Sequence, residues 1–203
     1  CEWYQLKVRG LLGPEAHDDK EITILNRRLR WTPSAIIYEA DVKHATILVA
    51  EMGLDGSSEG LDAPIVKEDI GADDHVDELL DGEERTRYRA LAARANYLAM
   101  DRMDIQFATK ELCRDMANPK ASSWVKLKRL ARYLLEHPRL EWECPCSGEV
   151  VPVLEVFFDS DWGGCRRSRK STSGGVIVLG GGALKSWSST QATNAPSIGE
   201  AEL

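Results

Sequence analysis

Leu154-Glu155-Val156-Phe157-Phe158-Asp159-Ser160-Asp161-Trp162-Gly163-Gly164 is an apolar run that ends in carboxylates and then breaks at paired glycines. Alternation with period two is the mark of a strand, and the Gly-Gly pair is the mark of the turn that ends it. Two more strand patterns follow, at residues 174–179 and 183–188, with Gly180 to Gly182 between them supplying a tight hairpin turn. Ser197-Ile198-Gly199-Glu200 then has capping-box spacing, so a helix is expected to start there and to carry Glu202 in its first turn. Adding a first strand over 151–159, the order is strand, hairpin, helix. On its own, an acid at a strand end reads as a solvated carboxylate.

Upstream, residues 4–12 and 21–27 alternate well enough for two strands, separated by Gly13-Pro14 and a polar His17-Asp18-Asp19-Lys20. Ala35-Ile36-Ile37-Tyr38-Glu39 reads as a third strand. A helix follows, with Asp41 near its cap, Ala45, Leu48, Val49 and Met52 on its apolar face, and Gly53 at its end. Glu39, Asp41 and His44 admit a metal-site reading; a capped, solvated helix entry explains Asp41 as well.

Between Asp55 and Glu84 twelve acids meet one Lys67, in Gly-rich, aromatic-poor sequence. Such a segment buries too little apolar surface to offset its chain entropy, and a mobile acidic loop is expected over 55–84. The alternative is an acidic mimic of nucleic acid that gates a binding groove.

Helical periodicity dominates residues 85–140. Asn118 and Pro119 suit the start of a helix over 119–136. Trp124, Leu127, Leu130, Ala131 and Leu134 share one face, and Lys126, Lys128, Arg129 and Arg132 fall on the opposite arc. That basic arc either follows a phosphate backbone or is a solvated face.

The 203 residues, 43% hydrophobic and 29% charged with net charge −7, suit one or two globular domains. No run approaches eighteen apolar residues and Cys1-Glu2-Trp3-Tyr4 is no signal sequence, so an intracellular chain is expected. With no initiator Met, and with Leu203 falling where a helix begins, the sequence reads as a piece of something longer. The five cysteines are scattered; Cys144-Pro145-Cys146 lacks the further ligands of a zinc site, and structural thiols are expected.

The Asp159 phrase, together with Ser171-Thr172-Ser173-Gly174-Gly175, Leu179-Gly180-Gly181, Ser186-Trp187-Ser188 and Gly199-Glu200-Ala201-Glu202, resembles the start of the RNase H domain of copia-type retrotransposon polyproteins. Tyr38-Glu39-Ala40-Asp41-Val42-Lys43-His44 resembles the segment following the polymerase active site of the same family. Blocks from Tyr88 through Asp101-Arg102-Met103-Asp104 to Lys128-Arg129-Leu130 resemble its thumb and connection, in order and in spacing. The resemblance implies an α+β or α/β fold in four parts. Residues 1–54 would be the end of the reverse-transcriptase palm and the start of the thumb, and 55–84 the acidic loop. Residues 85–140 would be the helical thumb and connection, and 141–203 the first half of an RNase H-like mixed sheet with its helix.

That resemblance also implies a chemistry. The parent would copy RNA into DNA and cleave the RNA strand of an RNA:DNA hybrid, using clustered carboxylates to hold two Mg²⁺, or Mn²⁺, ions. Asp159 and Glu202 occupy the family's catalytic and metal-binding positions. Asp161 is a further metal candidate, and Glu200 is better explained by capping. Lys126, Lys128, Arg129 and Arg132 would contact nucleic acid. Implied partners are template RNA, DNA, the hybrid and the remainder of the Pol polyprotein, with no membrane, in a cytoplasmic virus-like particle and the nucleus. The sequence departs from the family at Val42 and Met103, where proline is usual, in 192–198, and at Leu203, where tyrosine is usual. The implied state is a fragment inactive by itself; a non-catalytic nucleic-acid-binding module and a degenerate element without selected function are the alternatives.

Overall fold

The computed structural model describes residues 7–66, 77–146, 153–165 and 168–202. The described residues form two antiparallel sheets and a group of helices, with the last strand of the first sheet beside the last strand of the second and the third helix against the latter. The first sheet has the order β1-β2-β3-β4, formed by Glu21–Ile24, Arg27–Trp31, Ala35–Glu39 and Glu141–Pro145. Leu25 (φ 51°) and Asn26 (φ 63°) make the β1–β2 turn, both in the left-handed region that a two-residue hairpin with matched twist requires. The stretch expected as a single strand over 21–27 is therefore cut by a turn that no glycine announces.

The strand expected over 4–12 does not form across its described residues 7–12; only Leu12 bridges, in parallel, to Asp19. Local polar contacts hold the loop that follows it instead. Lys20 Nζ donates to the carbonyls of Gly13 (2.8 Å), Pro14 (2.9 Å) and Glu15 (2.7 Å), and Leu11 N donates to Asp19 Oδ2 (3.2 Å). An ammonium with three carbonyl partners closes the loop more firmly than a marginal edge strand would.

The helices are α1 (Val42–Glu51), α2 (Gly82–Leu98), α3 (Gln106–Arg114, entered through a 3₁₀ turn at Met103–Ile105) and α4 (Ala121–Glu136). Asp41 Oδ1 caps α1 by accepting from Lys43 N at 2.8 Å, and Asp81 caps α2 in a capping box with Glu84. Their apolar faces meet in one core of Leu48, Tyr88, Leu91, Leu98, Ile105, Leu112, Leu127, Leu130 and Leu134. Truncating any of these leucines to Ala costs about 2–5 kcal/mol.

The start of α4 differs from the expected Asn118–Pro119. Lys120 is the capping residue, its N–H donating to Ser123 Oγ at 3.1 Å. Residues 119–121 are engaged elsewhere: Leu80 N donates to Pro119 O (3.0 Å) and Ala121 N to Glu78 O (2.9 Å). This extended bridge holds residues 119 and 120 out of the helix. It also anchors the far end of the acidic segment. Of that segment, residues 55–66 carry no helix or strand, 82–84 belong to α2, and 67–76 lie outside the described residues.

A second sheet, β5-β6-β7, is an antiparallel meander of Leu154–Asp161, Thr172–Leu179 and Gly182–Thr190. Gly180 (φ 56°) and Gly181 (φ 85°) form its tight turn. Gly175 lies under the Trp187 ring, where a Cβ would collide. β5 is an edge strand with Val156, Phe157 and Phe158 more than half exposed. A four-residue helix, α5 (Ile198–Ala201), follows and rests on β5.

β4 stands in the first sheet. Residues 141–145, grouped by the sequence with the C-terminal part, pair with β3 from Ala35↔Pro145 to Glu39↔Glu141. The Tyr38 and Trp142 rings meet edge-on at 6.3 Å, a cross-strand pairing that sequence proximity does not reveal. β4 also lies beside β7, so it joins the two halves of the molecule.

Candidate functional site

Asp159 sits on β5 opposite Gly174, with its carboxylate exposed and accepting from Ser160 N at 2.9 Å. Asp161, two residues on and on the same face, is differently employed. Its Oδ1 accepts from Thr172 N, and its carboxylate presses against Gly164, where no Cβ fits. Ser171 Oγ, buried, accepts from Gly163 N at 3.0 Å, so the Gly-Gly turn is clasped from both sides. Asp161 thus serves the turn.

Glu202 is exposed and forms the C-terminal cap of α5. Ser197 Oγ accepts from Glu200 N at 3.3 Å, the capping contact expected of that spacing. Gln191 Nε2 ties α5 to β6, donating to Ala201 O and to Ser173 Oγ (2.9 Å). Among the described residues no group of three or more His, Cys, Asp or Glu is placed to hold a metal ion. The donors present therefore do not make the carboxylate cluster that paired magnesium ions need.

The basic arc of α4 divides into unlike members. Lys126 Nζ pairs with Asp115 at 3.5 Å and its side chain is only 18% exposed. Arg129 is half-buried, with Nε shielded from solvent and without a hydrogen-bond partner. Arg132 donates from Nε to Glu59 O (2.8 Å) and from Nη2 to Glu59 Oε2 (3.0 Å). Lys128 is exposed and makes no ion pair among the described residues. The opposite stripe of Leu127, Leu130, Ala131 and Leu134 is buried as expected, with Trp124 packed at its margin.

Two polar networks that the sequence does not announce hold the frame. Asp101 accepts from Arg27 Nε (2.8 Å) and Tyr38 O–H (2.7 Å), linking the first sheet to the end of α2. Burial, followed by the Asp101 charge, pushes the Tyr38 hydroxyl up to about 12. Arg102, 1% exposed, clamps Asp104 and the His137 carbonyl.

α3 reaches the second sheet through Lys110, which donates to Thr172 Oγ1 (2.7 Å), and Arg114, which donates to Cys165 Sγ (2.7 Å). Between these elements and β4 opens a cleft of about 940 Å³, lined in part by Tyr38, Trp142, Trp187, Lys110, Arg114 and Lys185. Burial alone would raise the Cys165 thiol; the Arg114 guanidinium and Ser168 outweigh it and bring it down to about 7. Iodoacetamide labelling of Cys165 is accordingly expected to rise through half-maximum near pH 7, and Arg114→Ala to move that midpoint upward. Quantifying the modified peptide across pH 5–10 checks it; identical midpoints would sever the link to Arg114.

Over 104 residues the chain is 34% identical to a retrovirus-related Pol polyprotein from transposon RE2 of Arabidopsis thaliana, covering 51% of this chain and 7% of the polyprotein. It is 31% identical over 111 residues to an uncharacterized mitochondrial protein of Arabidopsis thaliana, covering 50% of this chain and 41% of that protein. A secreted RxLR effector protein of Plasmopara viticola is 33% identical over 113 residues, which are 56% of this chain and 78% of the effector. The chain thus spans less than half of the mitochondrial protein and a small part of the polyprotein. No protein-family model and no solved structure matches it.

Proposed function

Because the chain belongs to the retrovirus-related Pol polyproteins of copia-type transposons, we propose that it is the part joining the end of the reverse-transcriptase palm, the thumb and connection helices, and the first half of an RNase H domain. The parent protein would synthesise DNA on an RNA template and cleave the RNA of the resulting hybrid. The observation that carries this reading is the β5-β6-β7-α5 order, with Asp159 exposed on β5 and Glu202 at the end of the helix resting on that strand. Asp159 and Glu202 would serve as catalytic metal ligands once further carboxylates join them. With too few donors gathered among the described residues, Mg²⁺ or Mn²⁺ would be held only in the completed domain. The open, apolar β5 edge suits packing against the remainder of the Pol polyprotein. A virus-like particle in the cytoplasm, and the nucleus, are the proposed locations. Among the described residues no helix is long and apolar enough to cross a membrane.

Template RNA, DNA and their hybrid are the proposed nucleic-acid partners, met by the arc of Lys126, Lys128, Arg129 and Arg132. Of these, Lys128 is exposed and would meet a phosphate directly, whereas Lys126 already lies against Asp115. Changing Lys128, Arg129 and Arg132 together to Ala is expected to weaken binding to hybrids of any sequence alike. The slope of log affinity against log salt should flatten by about 1 for each phosphate that is no longer neutralised. Filter binding between 50 and 200 mM salt measures it, and an unchanged slope would return the arc to solvent. Folding is expected to survive the change because the apolar stripe is untouched.

A second reading, a nucleic-acid-binding module without catalysis, draws on the absence of a metal-holding group among the described residues. The two separate cleanly: the module binds hybrid but gains no cleavage when the downstream half is supplied.

A further inference from the structure

We infer that Glu59 and Asp62 form a built-in competitor for the basic arc of α4, an inference that rests on the proposed nucleic-acid role of that arc. Described acids contact both ends of the helix. At the C-terminal end, Glu59 engages Arg132 through both its carbonyl and its carboxylate, and Asp62 lies 3.5 Å from His137 Nε2. Gly60 presses on the Glu136 side chain so closely that no Cβ fits there. At the N-terminal end, Asp77 accepts from Ser122 N (3.0 Å) and Ser122 O–H (2.6 Å), and Lys120 Nζ stands 3.7 Å away. Burial pushes the Asp77 carboxyl up, but these partners outweigh it and hold it below the usual carboxylate range. From Ser122 to Arg132 the helix advances roughly 15 Å.

The acids at the two ends do different work. Asp77 is partly buried and saturated, which suits a permanent anchor. The side chains of Glu59 and Asp62 are 88% and 98% exposed, and an ion pair so exposed contributes little to folding. Yet it neutralises Arg132, the arginine that a phosphate would need. A displaceable carboxylate over a cation is the arrangement of a competitor: a polyanion must release Glu59 before Arg132 can pair with it.

The test uses the full chain, a labelled 20-base-pair RNA:DNA hybrid and three variants. Glu59→Gln with Asp62→Asn removes the two exposed carboxylates at the C-terminal end. Glu15→Gln with Glu155→Gln removes equal charge from exposed positions elsewhere. Lys128→Ala with Arg129→Ala and Arg132→Ala removes three of the arc's four cations. Near 50 mM salt the first variant is expected to bind about three- to tenfold tighter than the parent and to steepen the salt slope by about 1, as Arg132 becomes available to a phosphate. The charge-matched variant should gain less than about twofold and keep the parental slope. Equal gains in both charge variants, or no gain in the first while the triple variant still loses binding, would overturn the competitor and leave the role of the arc standing. Full binding by the triple variant would overturn both.

Discussion

Replacing Arg102 with Ala is expected to cost the fold about 3–5 kcal/mol, a large share of the stability of a domain of this size. The side chain is 1% exposed, and its guanidinium donates from Nε to Asp104 Oδ1 (2.9 Å) and from Nη2 to Asp104 Oδ2 (2.7 Å) and the His137 carbonyl (2.9 Å). Truncation would leave the Asp104 carboxylate with the Tyr133 hydroxyl (2.8 Å), and the end of α4 without its donor. Burial drives the Asp104 carboxyl up, but Arg102 outweighs it and holds it below the usual range, while the Tyr133 hydroxyl is raised to about 12 by burial and then by Asp104. A depressed carboxylate contributes stability that is present above its unfolded pKa, near 4, and lost as pH falls through its lower folded value. Wild-type stability should therefore fall below about pH 4, and that part of the fall should vanish in the variant. Arg102→Lys keeps the charge but not the fork, and should recover only part of the loss. Urea unfolding followed by circular dichroism at pH 7 and pH 3 gives both numbers; a loss under about 1 kcal/mol at pH 7 would show that the clamp is dispensable.

The second large effect concerns catalysis. In a chain extended by the downstream half of a family RNase H, Asp159→Asn or Glu202→Gln is expected to lower magnesium-dependent cleavage of a labelled hybrid by at least about 100-fold, since each removes a proposed metal ligand. Hybrid affinity should stay within about threefold, because phosphates are met mainly by cations. The 203-residue chain itself should cleave nothing, as its described carboxylates do not gather around an ion. Asp161→Asn probes a different matter. Its carboxylate clasps Thr172 N and the Gly164 turn, so that change should loosen the turn as well as alter activity. Robust cleavage by the short chain, or full activity after either of the first two substitutions, would remove Asp159 and Glu202 from the site.

What could be read in the sequence was whatever has a local cause. The meander β5-β6-β7 follows from period-two alternation and from glycines that supply left-handed turns; α1 and α5 start where Asp41 and Ser197 cap them. The buried stripe of α4 follows from helical spacing. Features decided by distant partners were not legible. The start of α4 is set by residues 78–80, and the hairpin at Leu25-Asn26 has no glycine to mark it. Nor does the pattern that gathers Lys126, Lys128, Arg129 and Arg132 on one arc reveal that Asp115 and Glu59 already lie against two of them. The candidate site divides in the same way: Asp159 and Glu202 are proposed on the resemblance alone, whereas the contact of Arg114 with Cys165 is visible only in space.

The pairing of β3 with β4 joins segments about 110 residues apart in the chain, from Ala35 to Pro145. At about 5–20 residues per second, a ribosome needs roughly 5–20 s to deliver β4 after β3 has appeared. Throughout that interval the nascent hairpin of β1, β2 and β3 presents an unpaired β3 edge, its Ile36 and Ile37 amides and carbonyls able to pair with any other extended chain nearby. The meander has no such delay, since its three strands follow one another directly. Non-local contacts are also the slow ones to form, so the first sheet is expected to close after the meander. Crowded polysomes would therefore penalise this chain at its N-terminal sheet, and slowing translation between α1 and β4 would lengthen the exposure.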